Sequence, residues 1–260
     1  MTGAAPIAPP GPSATPVYCS WSGGKDSALA LYHALRLGAE PSLLVTMMTE
    51  GGERSRSHGL HRHLLKAQAD ALGLPIAFAA TSWDDYEASL RGELAEAARR
   101  GLKTGIFGDI DIRSHRDWVE RVAREAGTRA RLPLWRRDRV ELMHEVLDLG
   151  FRAVLVAVRD GSLPPTLLGE TIDATMLGRF ERAGVDLAGE NGEFPTCVVD
   201  GPIFSRPVEI EVGETSLRDG VWFVDLVPRP DVERVLSTSM FAGSPPLQAD
   251  DSPPFPPASR

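Results

Sequence analysis

The stretch that most constrains this chain is VYCSWSGGKDSALALYHALRLG, residues 17–38. Its apolar beginning, residues 17–21, suits a buried strand. The small polar turn SGGKDS follows at once, and a helical apolar pattern then runs through Leu29, Tyr32, Leu35 and Leu37. Gly38 is well placed to end that helix. A strand passing through a small-residue turn into a helix aims several backbone N–H groups, and the positive end of the helix dipole, at one point. That geometry holds phosphate. Gly23 and Gly24 allow close approach and unusual backbone angles, and Lys25 adds a mobile cation.

Neither Gly-x-x-x-x-Gly-Lys-Ser/Thr nor Gly-x-Gly-x-x-Gly occurs in the sequence, so a Walker-type loop and a dinucleotide fingerprint are both unsupported. SGGKDS after a strand resembles instead the PP-loop of the ATP pyrophosphatases. Those enzymes cut ATP between the α and β phosphates and leave AMP on the substrate as an activating group.

A chain of 260 residues has room for one large domain or two smaller ones. The net charge of −8 argues against a broad nucleic-acid-binding surface. With two cysteines, Cys19 and Cys197, neither a disulfide framework nor a four-cysteine zinc site can form. The first residues lack a charged segment followed by a long apolar one, and no run is long and apolar enough to span a bilayer. The expectation is a cytoplasmic protein with no membrane partner.

Taken in order, residues 1–16 read as a disordered leader. Strands are expected at 17–21, 42–49, 75–80 and 103–107, alternating with helices over 25–37, about 60–72, 83–100 and 114–127. Ser114 is the expected N-cap of the last of these, with Asp117 in a capping-box-like place. Strands and helices at this spacing mean βαβ units on a parallel, Rossmann-like sheet, an α/β fold. Near residue 130 the pattern changes, and a second, smaller α+β substrate domain is expected over 130–227 after a PP-loop ATP-binding domain at 17–129. Its strands are expected at 153–158, 197–200, 204–212 and 221–226. Residues 228–260 are rich in proline and read as a disordered tail.

Four later stretches narrow the resemblance: HGLHRHLLKAQADALGLPI (58–76), FGDIDIRSHRDWVERV (107–122), PLW with the following GFRAVLVAV (133–158), and GENGEFPTCVVDGPIF (189–204). Together with SGGKDS they resemble the diphthine–ammonia ligase family of the PP-loop group, whose first domain is of the adenine nucleotide alpha hydrolase type. The resemblance implies an AMP- and pyrophosphate-forming ligase that adenylates a carboxylate and adds free ammonia. Its implied cofactors are ATP and Mg²⁺, and its partners ammonium and a carboxylate acceptor, the diphthine of elongation factor two where that pathway exists. Lysine occurs only at Lys25, Lys66 and Lys103 among the many arginines, a bias that fits a GC-rich genome such as many bacteria have, so the acceptor is left open. A homodimer is left open as well.

In that chemistry the β and γ phosphates must be gripped while the α-phosphorus stays open and developing charge is neutralised. Ser22, Gly23, Gly24 and Ser27 would supply the grip, and Lys25 would meet phosphate oxygens. Asp26 would either help hold Mg²⁺ or cap the helix. Asp109, at the end of a strand and in the family's GD pair, is expected in the site. Glu190 and Glu193 sit in a Gly-flanked loop; seen alone it would be a polar turn, and the resemblance makes it a substrate or ammonia site with Asn191 and Thr196. An anionic pocket there would attract ammonium and could remove its proton. His58 matches a family position and is expected to touch nucleotide or acceptor. Cys19 reads as core, Cys197 as structural, and Trp135 and Phe194 as packing residues at the domain interface.

Two other function classes stand beside this one. A PP-loop enzyme modifying tRNA would adenylate a base, but sulfur insertion calls for paired or accessory cysteines and the charge disfavours tRNA. A nucleotide sensor without turnover would not need Lys25, Asp26 and the two glutamates together.

Overall fold

A computed structural model describes residues 15–229. The leader and tail expected at the two ends lie outside these residues, except that Thr15 and Pro16 already belong to the first strand and Pro228 to the last.

The period-2 alternation of the first strand decides how the chain packs. In β1 (Thr15–Ser20), and into the turn after it, Val17, Cys19 and Trp21 join one buried cluster while Tyr18 faces another. β1 pairs in parallel with β2 (Ala39–Met48) on one side and β4 (Thr104–Ile106) on the other. β3 (Ile76–Ala80) and β5 (Arg129–Arg131) complete a five-stranded parallel sheet of order β3-β2-β1-β4-β5. The helices are α1 (Lys25–Arg36), α2 (Arg62–Leu72), α3 (Tyr86–Arg99) and α4 (Arg113–Glu125). Leu90 and Leu94 of α3 with Val119 and Val122 of α4 bury the Tyr18 face. Leu29 of α1 and Leu64 and Leu65 of α2 bury the opposite face. Strand order changes direction at β1, so the carboxyl ends of β1 and β4 open a crevice there.

The second unit starts with α5 (Arg139–Asp148), whose N-cap Asp138 accepts from Val140 N and Glu141 N. The apolar run at 153–158 divides: β6 (Arg152–Leu155) pairs with β8 (Thr196–Asp200), and β7 (Ala157–Arg159) pairs with β10 (Val221–Pro228). β9 (Ile210–Arg218) closes an antiparallel β7-β10-β9 sheet. Between them a short 3₁₀ turn, Pro165–Leu167, and α6 (Ala174–Ala183) cover the core, with Asp173 capping α6 through Met176 N at 2.7 Å. The cluster on the α1 face continues into this unit through Phe151, Val154, Leu177 and Phe180, so both units share one core.

One strand stands where none was expected, and two expectations are corrected. The edge strand β5 has the sequence Arg-Ala-Arg, with no apolar run to announce it. α4 begins at Arg113, one residue before the expected cap; Ile112 is its N-cap, and the Ile112 carbonyl accepts from His115 N and Arg116 N. The strand expected at 204–212 starts only at Ile210. Residues 204–209 instead fold back, with Ser205 N donating to Ala71 O at 2.8 Å. Among the described residues, no helix is long and apolar enough to cross a membrane.

Candidate active site

The turn between β1 and α1 is braced from within and from the second unit. Gly23 has φ +80, and a Cβ there would meet Gln68 Oε1 and Leu60 Cδ1 at 2.7 Å, so both its backbone and its surroundings demand glycine. The Ser22 hydroxyl donates to Ser27 Oγ at 3.1 Å, and Ser27 in turn donates to Gly24 O at 3.0 Å. Gly108, after β4, comes so close that a Cβ would lie 2.9 Å from the Asp26 carbonyl carbon. From the second unit, Val198 N donates to Gly23 O at 2.9 Å and Thr196 Oγ1 accepts from Lys25 N at 3.1 Å.

Gln68 ties these pieces together. Its Nε2 donates to Gly23 O at 2.9 Å and to Val198 O at 2.7 Å, while its Oε1 accepts from Trp21 Nε1 at 3.0 Å. The residue is fully buried. In sequence it reads as one polar position on an otherwise amphipathic helix.

A cleft of about 390 Å³ opens beside the turn. Of the residues expected in the site, Ser22, Lys25, Asp26, Ser27, His58, Asp109, Glu190 and Thr196 line it. Gly23 and Gly24 shape the turn from behind. Glu193 and Asn191 are not on the wall; they bond each other, Glu193 Oε2 accepting from Asn191 N at 3.0 Å and Oε1 from Asn191 Nδ2 at 3.1 Å. Tyr86, His115, Ala188 and Phe194 also line the cleft. Tyr86 and His115 sit at the starts of α3 and α4, where the carboxyl edge of a parallel sheet gathers functional groups. Trp135, expected at the interface, lies away from the cleft wall with the Arg116 guanidinium 4.9 Å above its ring. Cys19 and Cys197 are both buried, and burial pushes both thiols up, Cys19 to about 12.

The charges in the cleft are unbalanced toward the negative. The Lys25 side chain is 3% exposed, and its Nζ donates to Asp26 Oδ1 at 3.0 Å, Asp26 Oδ2 at 2.8 Å and Ala188 O at 2.5 Å. A phosphate must compete with these acceptors to reach it. Burial, reinforced by Asp26 and Asp109 and opposed by Lys25 and Arg139, raises Glu190 to about 7. Burial also raises Asp109, against the pull of His115 3.9 Å away. His58 Nδ1 lies 2.7 Å from Thr196 O, and burial holds this imidazole below its ordinary value. Among the described residues no three His, Cys, Asp or Glu side chains could together hold a metal ion, and both Asp26 oxygens are bonded to Lys25. The residues present do not by themselves build a Mg²⁺ site.

Comparison with known families fits this arrangement. The family model described as Diphthamide synthase N-terminal domain matches residues 16–130, and that of the Diphthamide synthase C-terminal domain matches residues 138–227. The chain belongs to the diphthamide synthase family. Within it, the chain is similar to the diphthine–ammonia ligase of Danio rerio, 26% identical over 226 residues, covering 75% of this chain and 86% of that one. The Mus musculus diphthine–ammonia ligase is 22% identical over 234 residues, with coverages of 75% and 83%. The Schizosaccharomyces pombe diphthine–ammonia ligase is 24% identical over 213 residues, but the match takes in 72% of this chain and 34% of that longer one. A solved structure described as a predicted subunit of tRNA methyltransferase from Methanocaldococcus jannaschii aligns over 72% of this chain and 97% of its own, at 17% identity. Its TM-score of 0.37 is too low to carry an argument.

Proposed function

We propose that this member of the diphthamide synthase family is a carbon–nitrogen ligase that consumes ATP, forms AMP and pyrophosphate, and joins ammonia to a carboxylate. The observation that carries the reading is the meeting, in one cleft, of the SGGKDS turn with Glu190 and Thr196 from the second unit. The names of the related proteins support diphthine as the acceptor, so elongation factor two is the proposed macromolecular partner.

In this reading the amides of the turn and the start of α1 receive the β and γ phosphates, as helix N-termini receive anions. Lys25 leaves Ala188 O or Asp26 to meet them. A carboxylate oxygen of the acceptor attacks the α-phosphorus, the bond to the bridging oxygen breaks, and pyrophosphate departs. Ammonium enters an acidic cleft and passes a proton to Glu190, whose proton affinity near neutrality suits that exchange. Ammonia then attacks the acyl carbon, its nitrogen gives a second proton to solvent, and AMP leaves with the former carboxylate oxygen.

The test is product analysis with ATP, ammonium and diphthine-bearing elongation factor two. Release of AMP and pyrophosphate that requires both ammonium and acceptor is the expected outcome. ADP as the main product would overturn the reading.

A further inference from the structure

Glu190 owes its place to a carboxylate four residues before it. Asp186 Oδ2 accepts the N–H of Glu190 at 2.9 Å, and Oδ1 accepts that of Ala188 at 3.2 Å. One residue therefore fixes both the turn that carries Glu190 and the carbonyl that receives Lys25 Nζ. Asp186 is itself held: Arg139 Nη1 donates to its Oδ2 at 2.5 Å, and the Asp186 side chain is 12% exposed. The other edge of the same guanidinium forks onto Asp111, Nε to Oδ2 at 2.7 Å and Nη2 to Oδ1 at 2.6 Å. Asp111 stands two residues beyond Asp109, in the loop that leads from β4 to α4. Arg139 thus fastens the crevice side of the parallel sheet to the turn that carries the acid. A planar fork can do this and an ammonium cannot.

We propose that Asp186, clamped by Arg139 onto Asp111, is the positioning residue that holds Glu190 over the SGGKDS turn for the ammonia step. The proposal rests on Glu190 being the proton acceptor in the reading above. The charged and titratable groups around Glu190 are Lys25 and Asp26 from α1, Asp109 after β4, His58 after β2, Tyr86 from α3, His115 from α4, Arg139 from α5 and Asp186 from its own turn. Arg139 is one of two cations among them that favour the ionised carboxylate. The clamp therefore acts twice, by orienting the turn and by opposing the negative charge of the cleft. Truncating Asp186 removes the first action; neutralising Arg139 removes both.

Two measurements on the full chain test this. The first needs no turnover: the carboxyl carbon of Glu190 is followed by NMR in ¹³C-glutamate-labelled protein and assigned with Glu190→Gln. In Arg139→Gln its titration midpoint is expected to rise by about half a pH unit or more, and in Arg139→Lys to return toward that of the unaltered chain. The second is kinetic, with ATP, ammonium and diphthine-bearing elongation factor two. Asp186→Ala is expected to lower kcat about tenfold or more while the KM for ATP changes less than about threefold. Arg139→Lys restores the Glu190 midpoint but only part of the rate, because the fork is lost. An unmoved Glu190 midpoint in Arg139→Gln, with unshifted Ala188 and Glu190 amide signals in Asp186→Ala, overturns the clamp. If the unaltered chain releases no AMP, the functional reading fails, and the NMR arm still decides the clamp.

Discussion

His58 Nδ1 and the carbonyl oxygen of Thr196 lie 2.7 Å apart, across 138 positions of sequence. A carbonyl can only accept, so Nδ1 carries the hydrogen, and in the neutral ring Nε2 keeps its lone pair. Burial favours that neutral form. Proton exchange between His58 and a bound group is therefore confined to Nε2. The ring also forms the ceiling over Gly24, which ties the geometry of the turn to the second unit.

Gly24 is glycine for want of space. Its φ of −95 suits any residue, but a Cβ would lie 2.1 Å from His58 Cε1 and 2.6 Å from Nδ1. Gly24→Ala is expected to displace His58 and weaken ATP binding about tenfold or more. Gly24→Ala combined with His58→Ala should bind ATP better than Gly24→Ala alone, because neighbours in contact are not additive. Calorimetry on the single and double variants measures the coupling. Equal affinities for Gly24→Ala and the unaltered chain would dismiss the steric account.

Glu190→Gln is expected to lower ammonia-dependent AMP formation about a hundredfold, the scale of a lost general base, while ATP affinity is kept. In the unaltered chain the rate should rise with pH through about 7 as Glu190 ionises. Stability carries the opposite sign. The folded state binds the Glu190 proton more tightly than the unfolded chain, whose value is near 4.5, so Glu190 costs stability as pH rises from there through about 7. Glu190→Gln should therefore melt higher than the unaltered chain at pH 8, with the difference fading at acid pH. Calorimetric melts at both ends of the range check this.

Glu193→Gln offers the contrast. The Glu193 carboxylate is spent on the backbone and side chain of Asn191 and does not line the cleft. A roughly hundredfold loss would be expected of a general base there. From its position, kcat should instead stay within about threefold of the unaltered chain, the size of a lost turn hydrogen bond. A loss as deep as that of Glu190→Gln would return Glu193 to the chemistry.

Gln68→Leu keeps the volume of the side chain and removes its bonds to Trp21, Gly23, Cys197 and Val198. Trp21 Nε1 loses its acceptor and Val198 O its amide donor, both in the core. A loss of about 3 kcal/mol is expected, read as a lower urea midpoint at unchanged slope. An unaltered midpoint would mean that water replaces the amide.

Much of this was legible from local pattern. SGGKDS between an apolar strand and an amphipathic helix located the turn, and Gly38 and Gly73, at φ +82 and +70, do close α1 and α2. β5 was illegible because an edge strand of Arg-Ala-Arg buries too little to leave a pattern. The run at 153–158 reads as one strand because Val156, where it changes sheets, is as apolar as its neighbours. Within GENGEF, spacing could not tell Glu190 from Glu193. The structure sets them apart: Asp186 takes the Glu190 N–H, and Asn191 takes the Glu193 carboxylate. Gln68 and Arg139 were invisible for a related reason: their partners are distant in sequence, and a lone polar residue on a helix has no local signature.

The bond from Gln68 to Val198 spans 130 positions of sequence, and the bond between Gly23 and Val198 spans more. On a ribosome the parallel sheet emerges first, and its helices can collapse onto it while the later residues are still being made. The turn, however, cannot take its final shape until β8 has left the exit tunnel. The SGGKDS turn is thus completed late in synthesis, and a nascent chain halted before residue 196 should carry the motif without its braces from Thr196 and Val198.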